Sequence, residues 1–251
     1  MAPGSDVRIA VLSDIHGNLP ALEAVLRDLR DRGADAVVNL GDSLSGPLLP
    51  AETAQCLMAL GWPTIAGNHE RQLLTQGPGQ WGPSDAYAHS RLSPAELDWI
   101  RAQPPTLAFS ADVFMCHGTP DSDLDSLLEI IEPAGIRSAT AREVDARLGG
   151  ARAPVVLCGH THVPRSVRAG SGQLIVNPGS VGLPALETTV PFPVLVETGS
   201  PDARYAIIQA CAGGWVAELI SVPYAHRAMA ELARSRNRPD WACALSSGYM
   251  T

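Results

Sequence analysis

Apolar positions along the chain alternate between short continuous runs and longer stretches with helical spacing. Residues 7–13, VRIAVLS, form a β-rich apolar run that reads as a buried strand. The next segment, PALEAVLRDLRDRG, opens with Pro20 and sets Leu22, Val25, Leu26 and Leu29 on one helical face, with Gly33 as its stop. A second run, ADAVVNL, ends in Gly41-Asp42. A helical stretch, AETAQCLMALG, and a third short strand, PTIAG, follow and lead into Asn68-His69. Strand–helix–strand–helix–strand with short links predicts parallel βαβ units. Parallel strands present their carboxyl ends at one sheet edge, where open α/β folds bind ligands. Asp14, Asp42 and Asn68 are therefore expected at one edge.

Residues 77–105 are rich in Gly and Pro and read as a loop, then a short helix around SPAELDWIRA with Ser93 as N-cap. Two further strands, DVFMC and PVVLC, end at His117 and Gly159-His160, with helical segments near 122–132 and 138–148. After QLIVNPGS the pattern changes. VLVE, RYAIIQA and WVAELISVP, separated by TGSPD and CAGG, read as an antiparallel meander, expected to add antiparallel strands over 193–222 to a second sheet packed face to face on the parallel one. The tail from Tyr224 holds an alanine-rich helix and then PDWACALSSG. No repeat or low-complexity linker divides the sequence. One domain over 1–251 is expected, with a motif-bearing core at 7–180 and the meander and helical tail at 190–251.

Composition narrows the chemistry. A chain of 251 residues, 45% hydrophobic and 18% charged, can bury a sizeable core. No run of about 18 apolar residues exists, so no membrane span is expected. The start, MAPGSDVRIAVLSD, lacks a basic region followed by an apolar one, so export by a signal peptide is not expected. All 18 basic residues are arginine, which excludes a P-loop lysine, a Schiff base or a lysine nucleophile. The net charge of −8 disfavours a protein that coats long nucleic acid. The five cysteines show no CxxC spacing and point to a reducing, cytoplasmic protein. Cys116 and Cys158, in strand-like runs, read as small hydrophobes.

Polar residues gather at the strand ends: Asp14-x-His16, Gly41-Asp42, Gly67-Asn68-His69-Glu70, His117-Gly118 and Gly159-His160-Thr161-His162. Five of the seven histidines fall in these positions. Singly, each has a bland reading: Asp14 as a helix cap, Asp42 as a turn carboxylate, His117 as a core histidine. Together they point to a metal site. Two carboxylates, one amide oxygen and four imidazoles are too many ligands for one ion with open positions and suit two ions. The absence of thiolate ligands argues against a closed structural zinc or an iron–sulfur cluster. Two divalent ions outweigh two aspartates, so the site keeps positive charge inside an acidic protein. That excess can hold a phosphate and acidify a bridging water for in-line displacement at phosphorus.

In this order, D-x-H, G-D, G-N-H-E, H-G and G-H-T-H resemble the signature of the calcineurin-like metallophosphoesterase superfamily. The compact spacing and the run from GHTH to NPGS resemble its small bacterial YfcE-like branch. The resemblance implies a four-layer αββα sandwich of two mixed sheets flanked by helices, and hydrolysis of phosphomonoesters or phosphodiesters. It also implies that Asp14, His16 and His162 hold one ion and Asn68, His117 and His160 the other, with Asp42 bridging. His69 would lie over the leaving group as the catalytic acid. Manganese is the first choice of ion, with iron, zinc, cobalt or nickel as alternatives. The substrate is expected to be a nucleotide or other small phosphorylated metabolite, with a dinucleoside polyphosphate as an alternative.

Departures bound this expectation. Protein serine/threonine phosphatases share GNHE but follow G-D with V-D-R-G, whereas Ser43-Leu44-Ser45-Gly46-Pro47 follows here. Arg71 sits one position short of their second arginine and is read either as a substrate contact or as a solvated helix arginine. A non-catalytic scaffold of the same fold, with a degraded metal site, is the rival class, and the intact ligand positions weigh against it. His89 and His226 are read as a loop–helix residue and a solvated tail residue. Asn177 and Ser180, in NPGS, are expected to support the site loops.

Overall fold

The computed structural model describes residues 7–188 and 191–251; residues 1–6, the start read above for a leader, lie outside them. In chain order come β1 (Arg8–Leu12), α1 (Leu19–Arg32), β2 (Ala36–Asn39), α2 (Pro50–Leu60), α3 (Asn68–Thr75), α4 (Pro83–Arg91) and α5 (Pro94–Arg101). Then follow β3 (Thr106–Ala108), β4 (Val113–Cys116), β5 (Glu129–Glu132), β6 (Gly135–Ser138), α6 (Ala141–Arg147), β7 (Val155–Leu157), β8 (Arg165–Arg168) and β9 (Leu174–Asn177). The chain ends with β10 (Ala185–Thr188), β11 (Val194–Glu197), β12 (Ala203–Cys211), β13 (Gly214–Val222), α7 (His226–Ser235) and α8 (Pro239–Ser247).

Two mixed sheets form the centre, one ordered β13-β12-β1-β2 and the other β3-β4-β7-β9-β8. Strand side chains alternate between two buried faces, which is why the strands read as unbroken apolar runs. Ile9, Val11, Val38, Ala206 and Ile208 of the first sheet meet Val113, Met115, Val155, Leu157 and Val176 of the second in one buried cluster. On the outer face of the first sheet, Ala10, Leu12, Tyr205 and Ile207 pack with Leu22, Val25 and Leu29 of α1. On the outer face of the second, Cys116, Val156 and Ile175 pack with Val144 and Leu148 around α6. The layers are those of an αββα sandwich. α1 starts where Asn18 accepts the Ala21 N–H at 3.3 Å, so the cap is Asn18 and not Asp14.

Several expectations are corrected. PTIAG contributes only a parallel bridge, Asn39 opposite Thr64, because Pro63 has no N–H to donate and the chain turns at once to α3. The stretch after residue 77 contains α4, not only loop. Residues 122–132 are not helical: Ile130 and Ile131 belong to β5, which pairs antiparallel with β6, the β-branched residues and the Pro133-Ala134-Gly135 turn favouring a hairpin. The meander joins the sheet of the first strands instead of a second one. β12 and β13 form a hairpin with Cys211 opposite Gly214, and β12 pairs antiparallel with β1, Ile9 opposite Ile208. They extend the sheet that contains β1, while β11 leaves to pair with β10. Local alternation specifies a strand, but not which strand its free edge will meet.

Candidate metal centre

The site lies where both sheets end: Asp14, Asp42 and Asn68 leave one edge of the first sheet, as expected, and the second sheet adds the other candidates. Asp14 and Asp42 follow β1 and β2 of the first sheet. His117 follows β4 of the second sheet, and His160 and His162 follow β7. Asn68 opens α3. Close backbone approach draws these loops together. A Cβ on Gly41 would lie 2.4 Å from Gly67 N. A Cβ on Gly159 would lie 2.0 Å from Ser13 Oγ and 2.9 Å from Asp14 Oδ2. The glycines of G-D, G-N-H-E and G-H-T-H thus admit neighbouring loops that any side chain would push apart.

The backbone is strained at the same residues. Among the described residues six non-glycine positions have positive φ, and Asp14, His16, Asp42, His160 and His162 are five of them, between 51° and 70°. Each left-handed conformation costs about 1–3 kcal/mol and persists only where its surroundings over-determine it.

Two groups of side chains converge: Asp14 with His16 and His162, and Asp42 with His117 and His160. In the first group, His16 Nδ1 faces the Ser45 carbonyl at 2.7 Å and His162 Nδ1 the Leu183 carbonyl at 2.8 Å. A carbonyl can only accept, so each Nδ1 donates and each Nε2 presents a lone pair inward. Those two Nε2 atoms stand 3.1 Å apart. Asp14 Oδ1 lies 3.3 Å from His162 Nε2 and 3.9 Å from His16 Nε2. It is fully buried and has no hydrogen-bond partner. Three acceptors facing one another around an orphaned carboxylate oxygen fit a cation and little else.

The second group is similar. His117 donates Nδ1–H to the Leu40 carbonyl at 2.8 Å and sets Nε2 3.1 Å from Asp42 Oδ2. The Asn68 amide oxygen lies 3.0 Å from His160 Nδ1, 3.2 Å from Asp42 Oδ2 and 3.3 Å from His117 Nε2. Turned one way the amide donates to all three and satisfies a metal-free protein; turned the other it offers its oxygen to a cation. The groups abut, since His117 Nε2 is 4.0 Å from Asp14 Oδ1 and the His160 N–H donates to Asp14 Oδ2 at 3.1 Å.

The imidazoles differ in charge. Burial, with His162 beside it, lowers His16 to about 4, and burial with His117 nearby lowers His160 to about 4. Burial opposes charge on His117 too, but the facing Asp42 outweighs it and holds His117 at about 10. Burial works against ionised Asp14, yet His162 and His117 bring it down to about 2.

His69 stands beside the groups, its side chain 28% exposed and its ring 5.6 Å from that of His16. Its N–H donates to Asp42 Oδ1 at 2.9 Å, and Nδ1 faces Asp85 Oδ1 at 2.8 Å. Burial opposes its charge, but Asp42 and Asp85 raise it to about 9. Asp85 was not singled out in the sequence. Its helix start, Pro83-Ser84-Asp85, is legible, but its partner 16 residues away is not. Glu70, seen in the motif but given no role, is fully buried and accepts the N–H groups of Asp42 at 2.7 Å, Ser43 at 2.8 Å and Gly67 at 2.9 Å. It clamps the G-D loop to the start of α3.

Asn177 and Ser180 do support the loops: Asn177 Nδ2 donates to the Gly159 carbonyl at 2.8 Å, and Ser180 Oγ to that of Asp14 at 2.6 Å. Arg71 forms a two-pronged pair with Asp123, at 2.6 and 2.8 Å. His89 stacks on Trp81, ring centroids 4.2 Å apart. His226 is tethered rather than solvated, with Nδ1 2.8 Å from the Leu245 carbonyl. The five cysteines are free, and burial pushes the Cys116 thiol up to about 12, against a nucleophilic role.

Residues 7–199 match the calcineurin-like phosphoesterase superfamily domain. A 66-residue stretch is 41% identical to an uncharacterized protein of Methanocaldococcus jannaschii, covering 26% of this chain and 27% of that protein. The match therefore spans about a quarter of that relative's length. A metallophosphoesterase from Sphaerobacter thermophilus superposes with a TM-score of 0.74 at 24% identity, over 97% of this chain and 100% of its own. A hypothetical protein from Pyrococcus horikoshii OT3 gives 0.76 at 19% identity, over 98% and 100%. A candidate diadenosine tetraphosphatase gives 0.53 at 20% identity, over 89% and 96%. These structural likenesses show the fold.

Proposed function

The chain belongs to the calcineurin-like phosphoesterase superfamily, and from that premise we propose that it hydrolyses small phosphomonoesters or phosphodiesters with two divalent ions. Asp14, His16 and His162 would hold one ion and Asn68, His117 and His160 the other, with Asp42 shared between them. The observation that carries the reading is Asp14 Oδ1, buried without a hydrogen-bond partner and ringed by imidazole Nε2 atoms. When bound, the ions supply positive charge to phosphate oxygens and an acidified water at neutral pH.

The protein's own residues do the rest. Carbonyls of Ser45, Leu40 and Leu183 fix three imidazoles in the tautomer that presents Nε2. Asp85 holds His69 by Nδ1, so Nε2 is the nitrogen that delivers a proton to the departing oxygen. Asp85 keeps the His69 ring oriented while the proton moves. Manganese is the first choice of ion, and the substrate is a nucleotide or other phosphorylated metabolite. Free thiols fit a reducing, cytoplasmic setting. Among the described residues no helix is long and apolar enough to cross a membrane.

The test is metal-stripped protein reloaded with manganese, iron, zinc, cobalt or nickel. Each form is assayed on monoesters, diesters, cyclic nucleotides and dinucleoside polyphosphates. The expected result is two ions per chain and turnover of at least one class. Cleavage confined to dinucleoside polyphosphates would favour a pyrophosphohydrolase, the activity in the name of one structural neighbour. A single ion in fully active protein would sink the dinuclear reading. Two ions without turnover of any phosphoester would make the protein a scaffold.

A further inference from the structure

The segment after β13 contributes no ligand candidate, yet it touches the supports of three site residues. α7 and α8 bury Met229, Ala230, Ala233, Trp241 and Leu245 in a cluster with Leu48 and Leu183. Leu183 supplies the carbonyl that fixes His162. Leu48 belongs to the loop whose Ser45 carbonyl fixes His16. Trp241 meets the His16 ring edge-on at 5.9 Å and fills the space over Gly46, where a Cβ would come within 2.6 Å of the indole. Arg236, in the α7–α8 connection, donates to the carbonyls of Pro47, at 2.6 Å, and Leu48.

The same connection reaches α4. The Arg236 guanidinium lies 4.8 Å over the Tyr87 ring, and Arg238 Nη1 donates to Ser84 Oγ at 2.9 Å. Ser84 and Tyr87 flank Asp85, the partner of His69. One helical hairpin thus backs His16, His162 and the Asp85–His69 pair.

We infer that the α7–α8 hairpin is a positioning element, with Trp241 and Arg236 aiming His16 and His162 at one of the two ions and Arg236 and Arg238 seating Asp85 against His69. The inference rests on the two-ion reading and on His69 as the proton donor. Its physical basis is that ligand orientation is set by the groups behind the ligands, whose loss typically weakens metal binding about 10- to 100-fold. Selectivity follows from the geometry: the other group is fixed by the Leu40 carbonyl, Glu70 and the ends of β2, β4 and β7.

The experiment uses the full chain as Trp241→Ala, Trp241→Phe, Arg236→Ala, Arg238→Ala and His69→Ala. Metal-stripped protein is titrated with manganese and with zinc, and bound ions are counted by elemental analysis. Trp241→Ala is expected to keep one ion at wild-type affinity and bind the other about 10- to 100-fold more weakly, with Trp241→Phe restoring most of the loss. Equal weakening of both ions, or of neither, in folded protein overturns the inference. If Trp241→Ala does not fold, Arg236→Ala decides the same question. Arg238→Ala is expected to keep both ions and to lose more rate on an alkyl phosphate than on a nitrophenyl phosphate, in the direction of His69→Ala. Equal losses on both esters in Arg238→Ala, while His69→Ala discriminates, overturn the Asp85–His69 half. If His69→Ala itself does not discriminate, the acid role fails and takes that half with it, and the ion titration still decides the other.

Discussion

The Asp14–His16–His162 group and the Asp42–His117–His160 group use the same side-chain types but are held by different parts of the protein. Asp14, His162, Asp42, His117 and His160 all follow buried strands, but the second group is also clamped by Glu70, which ties three backbone N–H groups together. The first hangs on the carbonyls of Ser45 and Leu183, in loops backed by helices from the far end of the chain. Protonation sets one imidazole apart: His117 keeps its proton to about 10, whereas His16 and His160 are both lowered to about 4. Similar side chains are therefore held by different supports and differ in how they hold their protons.

The largest expected effect erases the contrast. Asp42 faces His117 and Asn68 and also receives the His69 N–H. Asp42→Ala should weaken both ions and cut kcat/KM by roughly 10³-fold or more, as expected when metal charge stabilisation worth several kcal/mol is lost. Asp14→Ala should release one ion and spare the other. Elemental analysis of both variants, beside kinetics, checks this; loss of a single ion in Asp42→Ala would show that Asp42 is not shared.

The next effect sharpens the contrast through pH. Because Asp42 raises His117 above its ordinary value, to about 10, the metal-free imidazole is protonated at neutral pH and must release that proton to ligate. Affinity in the second group should fall about tenfold per unit as pH drops from 8.5 to 6.5, one displaced proton per ion. His16 and Asp14, at about 4 and about 2, displace no proton in that range, so the first group should lose less. Stepwise ion titrations at several pH values measure it, and identical pH slopes for both ions would contradict it.

A smaller effect separates His69 from both groups. Asp85→Asn should retain two ions and lower kcat on alkyl phosphates by about 10- to 100-fold, within the usual range of general acid–base contributions. Nitrophenyl phosphates, with a leaving group that needs no proton, should lose less. Parallel losses on both ester types would limit Asp85 to a structural role.

The smallest concerns Arg71, whose guanidinium is already paired with Asp123 and 42% exposed. Asp123→Ala should change stability by no more than about 1 kcal/mol, as exposed pairs do. Thermal melts test that. A rise in KM at constant kcat in Arg71→Ala would identify Arg71 as a substrate contact.

Much of this was legible. The apolar runs of β1, β2, β4, β7 and β12, the helical spacing of α1 and the glycines before Asp42, Asn68 and His160 are local signals. The ordered motifs carry the superfamily. Most candidate ligands could be named because they follow readable strands, whereas Asn68 follows only a bridge and opens α3. Asp85 and Glu70 escaped because their roles are contacts: a carboxylate in a first helical turn looks the same whether it meets solvent or an imidazole.

By itself the sequence determined the main buried strands, the helical face of α1 and which strand-end residues carry lone pairs, since these depend on neighbours within a few residues. Only the tertiary structure decided that β12 joins β1, that the site spans two sheets, and that five ligand candidates hold left-handed backbone. Only it placed the C-terminal helices behind His16 and Asp85. Each of these depends on groups far apart in the chain whose meeting is set by total burial and closure of the core, and no local pattern encodes that sum.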